Sequence, residues 1–301
     1  MSVLNQTTDG QFNVLIVLIR AAIRFGPRDR SELLALCGAE APRVDASRLR
    51  GTLLRWTELG LFEVQEDRVT LREPYQSRLG KDAGKAEAKL PAAAREIVLA
   101  AENNQRFWEA EGNKSADLTR GLSWMLAQDV YSLETSSHGR IQELETTQIP
   151  DLSRRILQND TRWTGLKAWM IYLGFGRGEA AFTVDPTVAV RDSLPAIFPD
   201  AKPMPARHFL DRVAEIIPVL DQGIYRLMVE ETLNSAAWSP PENNVVSSSL
   251  SRAIERLVHA GELAMEQRAD AQDGLQLTGV NGRVWRSFTH IWRPARQAGA
   301  R

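Results

Sequence analysis

Residues 44–72 read VDASRLRGTLLRWTELGLFEVQEDRVTLR, and this stretch predicts a helix, a glycine turn and a β-hairpin. Asp45 or Ser47 suits the N-cap position, because a short polar side chain there accepts a backbone N–H. From that cap the helix is expected to run to Glu58. Its apolar residues recur at helical spacing and form one buried stripe: Leu49, Leu53 and Trp56.

The residues after this helix predict its end and the hairpin. Gly60 stands where a C-cap glycine belongs. Leu61–Val64 and Val69–Leu71 are then two short strands, with the polar pair Glu66 and Asp67 in the turn between them. A helix followed by such a hairpin is typical of a winged-helix module, in which a recognition helix precedes a wing.

A second face of the same helix is basic. Arg48, Thr52 and Arg55 recur at i, i+4 and i+7, with Arg50 beside them and Arg68 in the hairpin turn. Such a face would contact phosphates and base edges from a major groove. The alternative is a solvated basic face on a helix that only packs a small domain. Both interpretations remain open at this stage.

Glycines divide the rest of the chain in a similar way. Gly174 and Gly261 also follow predicted helices and precede predicted strands, so helix, glycine and hairpin occur three times. We therefore predict a mainly α fold with short β-hairpins (α+β), with multiple winged-helix units joined by a helical region. The predicted segments are an N-terminal winged helix (1–76), a linker (77–96), a helical region (97–150), a middle winged-helix-like unit (151–205) and a C-terminal winged helix with an aromatic tail (206–301).

Further elements follow from periodicity and capping residues. The Ala-, Lys- and Gly-rich segment 77–96 is either a linker or an exposed connecting helix. The predicted helices are 12–25, 30–36, 97–110, one capped by Ser115, 150–159, 162–173 capped by Thr161, 193–198, 208–220, 224–235 and 247–259. The predicted strands after the first hairpin are 181–184, 187–190, 263–268 and 275–278, and a tail with Trp285, Phe288 and Trp292 is expected to pack back.

The last predicted recognition helix offers a second candidate for DNA contact. Its start carries serines and arginines, and hydroxyls and free amides at a helix N-terminus favour phosphate. These residues are Ser248, Ser249, Ser251, Arg252 and Arg256. Glu255 interrupts the face and repels a phosphate backbone, and N-terminal serines are also ordinary capping residues.

Composition sets further limits. The 301 residues suit two or three small domains, and 37 basic against 38 acidic residues give no global basic field. Any DNA contact should therefore be local and sensitive to salt. The sole cysteine, Cys37, excludes an intramolecular disulfide and fits a reducing cytoplasm. The apolar run 14–19 is too short to span a bilayer, so we expect no membrane contact.

The sequence contains no recognisable catalytic motif. His138, His208, His259 and His290 are scattered, and His208 with Asp211 lacks a third metal ligand. The run GFGRG (174–178) has no following Lys-Ser/Thr and fits a loop better than a phosphate-binding loop. We therefore predict no enzyme activity, no cofactor and no metal site.

Two stretches resemble a known family. MSVLNQTTDGQFNVLIVLIRA (1–21) leads into the first winged helix, and ENNQRFWEAEGNKSADLTRGLSWMLAQDVY (102–131) lies in the central helical region. Together they resemble the DpdG-like accessory proteins of the bacterial Dpd gene cluster, which inserts 7-deazaguanine bases into DNA and restricts DNA that lacks them. The resemblance implies phage defence, helicase-like or nuclease-like partners and proximity to DNA; it supplies no catalytic residues.

Three functions stay open. The first is a non-catalytic, cytoplasmic accessory subunit of a defence system that contacts double-stranded DNA through its recognition helices. The second is an assembly module whose winged helices bind protein partners or a second copy of the chain, which the near-zero net charge favours. The third, an enzyme whose site is assembled from distant residues, has the least support.

Overall fold

A computed structural model describes residues 3–4, 12–178, 181–200, 202–269 and 273–294. Contacts divide the chain into two compact units: residues 1–119 with 159–173 form the first, and residues 120–158 with 174–301 form the second. The architecture is α+β, with helices and small sheets in each unit. The predicted segment 151–205 is thus shared between the two units.

The helices of the described residues are α1 Phe12–Phe25, α2 Arg30–Leu36, α3 Ala46–Glu58, α4 Tyr75–Leu79, α5 Ala83–Leu99, α6 Ala116–Ala127, α7 His138–Gln148, α8 Asp160–Tyr172, α9 Thr187–Ile197, α10 Ala206–Ile216, α11 Ile224–Glu230 and α12 Ser248–His259. The strands are β1 Arg28–Asp29, β2 Phe62–Gln65, β3 Arg68–Leu71, β4 Gly176–Arg177, β5 Thr183–Val184, β6 Met204–Pro205, β7 Val245–Val246, β8 Ala264–Glu266, β9 Leu275–Thr278, β10 Val284–Phe288 and β11 His290–Trp292.

In the first unit, α3, the glycine after it and the β2–β3 hairpin form where local sequence signals predict them. Asp45 caps α3, since its Oδ1 accepts a hydrogen bond from the Ser47 N–H at 3.0 Å. Gly60 has φ +94°, the left-handed conformation of a helix-terminating glycine. Glu66 and Asp67 both have positive φ and form the two-residue turn that joins β2 to β3. The predicted helix, glycine and hairpin are confirmed here, and β1 adds a third strand in the order β1-β3-β2.

For segment 77–96 the predicted connecting helix is confirmed, whereas a flexible linker and full exposure are wrong. Most of it forms α5, which Asp82 caps and which packs along α1. Its buried residues include Ala86, Leu90, Ala93 and Ala94. Alanine allows close helix packing while adding little hydrophobic periodicity, so the sequence pattern conceals the burial.

The helix predicted at 97–110 also needs correction, because α5 ends at Leu99. Asn104 donates from its side chain to the carbonyl oxygens of Val98 and Ala100, both at 2.8 Å. Asn103 likewise donates to the carbonyl of Ile97 at 2.9 Å. These side chains satisfy the last carbonyls of the helix and end it.

An aromatic cluster explains why α8 belongs to the first unit. The ring of Trp169 lies 5.9 Å from the rings of both Phe12 and Trp56, measured between centroids. Phe12 also stacks on Tyr172 at 4.4 Å. Aromatic pairs of this kind add to the hydrophobic stabilisation of a core. The contacts connect α1, α3 and α8, which are far apart in sequence.

Two helix starts in the middle segment differ from prediction. Residues 150–159 form only a short 3-10 turn, Leu152–Arg154, and not a helix. Asn159, and not Thr161, caps α8, because its side chain accepts the Arg162 N–H at 2.9 Å. Asparagine is among the strongest N-cap residues, and its carboxamide reaches the free amides of the first turn.

The second predicted hairpin is shifted. β4 pairs with β5 in an antiparallel hairpin, whereas residues 187–190 form the first turn of α9. The Asp185 carboxylate accepts the Thr187 N–H at 3.0 Å, and Pro186 precedes the first helical residue. An acidic acceptor and a proline are helix-start signals, so they override the β propensity of the residues that follow.

The C-terminal strands pair differently from prediction. β8 and β9 do not form a hairpin; β8 pairs with β11, and β9 pairs with β10 and, in parallel, with β7. The sheet orders are β6-β11-β8 and β10-β9-β7. The expected aromatic tail supplies β10 and β11, in which Phe288 is buried and Trp285 is exposed. Non-local strands compete for the same partners, and no local signal decides between them.

Candidate nucleic-acid interface

Three of the predicted DNA-contacting residues lie on the surface of the first unit. Arg48 and Arg50 are exposed on α3, and Arg68 is exposed at the start of β3. The Arg48 Nε lies 3.3 Å from Oδ2 of Asp45 in an exposed ion pair. Such a pair is weak in water, so the guanidinium remains available to another anion.

Thr52 and Arg55, by contrast, are not on an exposed face. They are 0% and 3% exposed, and this part of the predicted interface is wrong. Thr52 immediately precedes Leu53 and Arg55 immediately precedes Trp56, two residues of the buried stripe, and α3 packs against both α1 and β2. Because neighbours lie on two sides, the buried arc is wider than a single apolar stripe predicts.

The exposed face of α3 instead runs through Arg50, Leu54 and Glu58. The Leu54 side chain is 46% exposed. It borders a groove of about 480 Å³ between α2, α3 and the β2–β3 hairpin. Leu34, Leu53 and Val64 give this groove an apolar floor, and its rim carries Arg30, Arg50 and Asp67.

The serines of the second candidate helix do not face solvent. Ser248 is 5% and Ser251 is 0% exposed. The Ser248 Oγ accepts the Val130 N–H at 3.0 Å, and the Ser251 Oγ accepts the Thr278 N–H at 2.9 Å. Ser249 is also buried. These hydroxyls satisfy internal backbone groups, so their predicted contact with DNA phosphate is corrected to a structural role.

The arginines of α12 have internal partners as well. Arg252 is half-buried; its Nη1 donates to the Val184 carbonyl at 3.1 Å, and its guanidinium lies 4.7 Å from the centre of the Tyr131 ring. The Arg256 side chain is 46% exposed, and its Nη1 lies 3.3 Å from Oδ2 of Asp185. Of the five residues predicted on α12, Arg256 is therefore the one that presents an exposed side chain.

The residues that surround Arg256 carry no signal of a site in the sequence. Arg177, Arg191 and Arg256 line one cavity of about 580 Å³ in the second unit. They come from β4, α9 and α12, and no regular spacing connects them. One local signal was present in the sequence: the Asp-Pro-Thr helix start at residues 185–187. Its Asp185 is the acidic partner of both Arg177 and Arg256.

The described residues contain neither a metal-binding cluster nor an activated thiol. No group of three or more His, Cys, Asp and Glu residues there is arranged to hold a metal ion. Burial raises the pKa of the Cys37 thiol to about 11, which disfavours the reactive thiolate. The helices that the structure describes also include none with the length and apolar character needed to cross a membrane.

Comparison with known proteins identifies the family. A family model described as DpdG-like matches residues 1–271. No curated protein and no solved structure matches the chain. The match covers the whole of the first unit and the second as far as β8, whereas β9, β10 and β11 lie after it. The family suggests a role associated with the Dpd system. On this match, the chain belongs to the DpdG-like family.

Proposed function

We propose that this chain is a non-catalytic accessory subunit of an anti-phage Dpd system that contacts duplex DNA through its first unit. The contact is made by α3 and the β2–β3 hairpin, which we assign as the recognition helix and wing of a winged helix. Its partners are other Dpd proteins of helicase-like or nuclease-like type, in the bacterial cytoplasm. Family membership and the arrangement of α3 and its hairpin support this proposal.

The order of elements supports the winged-helix assignment for residues 12–71. The sequence α1, β1, α2, α3, β2, β3 with sheet order β1-β3-β2 is the arrangement that such modules use. We restrict the assignment to this unit, because β8 and β9, the predicted strands of a wing after α12, do not pair with each other.

The observation that carries the proposal is the placement of Arg48, Arg50 and Arg68. All three are exposed, and Arg50 and Arg68 make no ion pair with any residue that the structure describes. A guanidinium presents a planar fork of donors that matches phosphate oxygens. A helix and an adjacent wing with such residues can contact the backbone on both sides of a groove.

The test is fluorescence anisotropy of a labelled duplex of about thirty base pairs, titrated at several salt concentrations. The Arg50→Gln/Arg68→Gln variant is expected to bind more weakly and to flatten the plot of log affinity against log salt by about 1.8, or about 0.9 for each lost phosphate contact. The matched control is Arg20→Gln/Arg106→Gln, which removes two exposed arginines elsewhere in the same unit. Equal slopes for the two variants would contradict the proposal.

A second candidate is protein assembly, and the groove beside Leu54 favours it. An exposed leucine at the edge of an apolar groove is a common anchor for a partner protein. Leu54→Gln is expected to weaken self-association, measured by sedimentation velocity, and to leave duplex binding intact, because it adds no negative charge to α3. A variant that associates as the parent does would remove this candidate, and a parent chain that stays monomeric would limit it to other Dpd proteins.

A further inference from the structure

A basic cavity in the second unit is separate from the proposed DNA-contacting surface. It has a volume of about 580 Å³, and three arginines line it: Arg177, Arg191 and Arg256. His259 lies at the same cavity, as does Glu255. We call these residues the arginine cavity. Elements far apart in sequence bring three guanidinium groups to one concave surface.

Acidic residues hold the arginines in place from behind. Asp185 is 1% exposed, and its Oδ2 lies 3.5 Å from Nη1 of Arg177 and 3.3 Å from Nη1 of Arg256. The other oxygen of this carboxylate accepts the Thr187 N–H at 3.0 Å. Arg191 is fixed separately, because its Nε lies 2.7 Å from Oε1 of Glu262. The guanidinium groups are thus positioned before any ligand arrives.

The three arginines of the cavity keep N–H donors for a ligand. One carboxylate, Asp185, faces two guanidinium groups and cannot neutralise both. Each arginine has five N–H donors, and the side chains of Arg177, Arg191 and Arg256 remain 55%, 40% and 46% exposed. Burial raises the pKa of Glu255, so the neutral form of this carboxyl is favoured more than in water.

We propose that the arginine cavity binds one phosphate group, either of a nucleic-acid backbone or of a free phosphate compound. A tetrahedral phosphate offers several acceptor oxygens to donors that converge from different directions, and arginine forks suit this geometry. The amides at the start of α9 contribute little, because those of Thr187, Ala189 and Val190 already bind protein oxygens. The site rests on the guanidinium groups and is independent of DNA binding by the first unit.

The test begins with isothermal titration of inorganic phosphate into the full chain at constant ionic strength. Arg191→Gln is the main variant, because both members of the Arg191–Glu262 pair are partly exposed and the chain should fold without it. Its Kd for phosphate is expected to rise at least about tenfold. Arg140→Gln is the matched control, since Arg140 is also exposed and paired with acidic residues but lies outside the cavity.

A second variant checks the role of the buried carboxylate. Arg177→Lys/Arg256→Lys keeps two positive charges beside Asp185 but removes the planar forks, so it should fold and bind phosphate more weakly.

Parallel titrations with a 5′-phosphorylated nucleotide and with duplex DNA identify the source of the phosphate. Binding of inorganic phosphate and of the nucleotide indicates a free phosphate compound. Binding of duplex DNA alone, weakened by Arg191→Gln, indicates a phosphate of the nucleic-acid backbone.

The outcome that overturns the proposal is equal binding of every probe by the parent, Arg191→Gln and the lysine variant, or no binding of any probe by the parent. The Arg50→Gln/Arg68→Gln variant separates this proposal from the preceding one. Its phosphate affinity is expected to match that of the parent chain, whether or not its duplex affinity falls.

Discussion

Two buried arginines of this chain differ in their surroundings: one has acidic partners, and the guanidinium of the other includes nitrogens without a hydrogen-bond partner. Arg226 is 1% exposed, and it contacts Glu230, lies 3.7 Å from Asp221, and donates to the Leu126 carbonyl at 2.8 Å. Arg55 is 3% exposed, and its Nε and Nη1 have no hydrogen-bond partner. A buried charge stabilises a fold only when its partners offset the loss of hydration.

Replacing Arg226 should therefore be costly. Arg226→Met leaves the Leu126 carbonyl and the carboxylate of Asp221 with one partner fewer inside the second unit. The free energy of unfolding, measured by urea denaturation, is expected to fall by about 3–5 kcal/mol. Arg140→Met, which removes an exposed arginine, should change it by less than about 0.5 kcal/mol. Similar losses in the two variants would show that Arg226 has no special role.

Replacing Arg55 should have the reverse effect. Arg55→Met removes a desolvated charge whose Nε and Nη1 lack partners and keeps most of the side-chain volume. The free energy of unfolding is expected to stay the same or to rise by about 1 kcal/mol. Duplex affinity should be unchanged, because the side chain is buried. A loss of duplex binding in a fully folded variant would return Arg55 to the DNA interface.

Cys37 provides a pH-dependent measurement of burial. Its pKa is raised to about 11, so roughly one thiol in a thousand is ionised at pH 8. Alkylation by iodoacetamide is expected to be slow at pH 8, to accelerate as the pH rises towards about 11, and to be fast at pH 8 in denaturant. A rate at pH 8 that denaturant does not change would contradict the partial burial of this thiol.

At the scale of elements, three glycines end helices by the same backbone geometry. Gly60, Gly174 and Gly261 have φ values of +94°, +83° and +70°. All three were predicted as glycines that follow a helix, because an L-residue with a Cβ adopts this conformation at a cost. What the sequence does not show is the space around each glycine.

Gly174 and Gly261 form a matched pair for separating strain from steric conflict. A Cβ at Gly174 would lie 2.9 Å from the Ala189 nitrogen, whereas one at Gly261 would meet nothing within 4 Å. Gly261→Ala should lower the free energy of unfolding by about 1 kcal/mol, and Gly174→Ala by about 2–4 kcal/mol. Urea denaturation measures both values. Equal losses would mean that the start of α9 shifts to accommodate the methyl group.

Elements were predictable where their signals are local. The boundaries of α1 and α2 and the turn at Glu66 and Asp67 follow from periodicity, caps and turn residues close in sequence. The pairing of β8 with β11 was not predictable, because it joins residues 264–266 to residues 290–292 across two other strands. Burial of α5 was missed because its contact with α1 depends on alanines.

The residues of the candidate sites were likewise predictable only where the signal is local. The basic residues of α3 were identified, but only a tertiary neighbour decides which of them stay in solvent, so Arg48 and Arg50 are exposed while Arg55 is not. Of the arginine cavity only Arg256 was predicted, because Arg177, Arg191 and Arg256 come together only in three dimensions. Whether any of these residues contacts DNA stays a prediction.

For the whole molecule, the balance of charge limits the strength of any DNA contact. The formal net charge is −1, so attraction must come from a small basic area. Contact with phosphates through Arg48, Arg50 and Arg68 alone gives a slope of about −3 in log affinity against log salt. Anisotropy titrations between about 50 and 200 mM salt measure this slope. A slope of about −6 or steeper would require a larger basic surface than these three residues provide.

The order of the two units along the chain has a consequence during translation. The first unit takes residues 159–173 from beyond a long segment of the second, and the second is interrupted by that same stretch. A ribosome that has released residue 119 has not yet supplied α8, so the aromatic cluster around Trp169 cannot close. Likewise, β8 cannot pair with β11 until residues 290–292 have left the ribosome. Neither unit can therefore complete its core before these later segments are synthesised, and until then the earlier apolar residues lack their final partners.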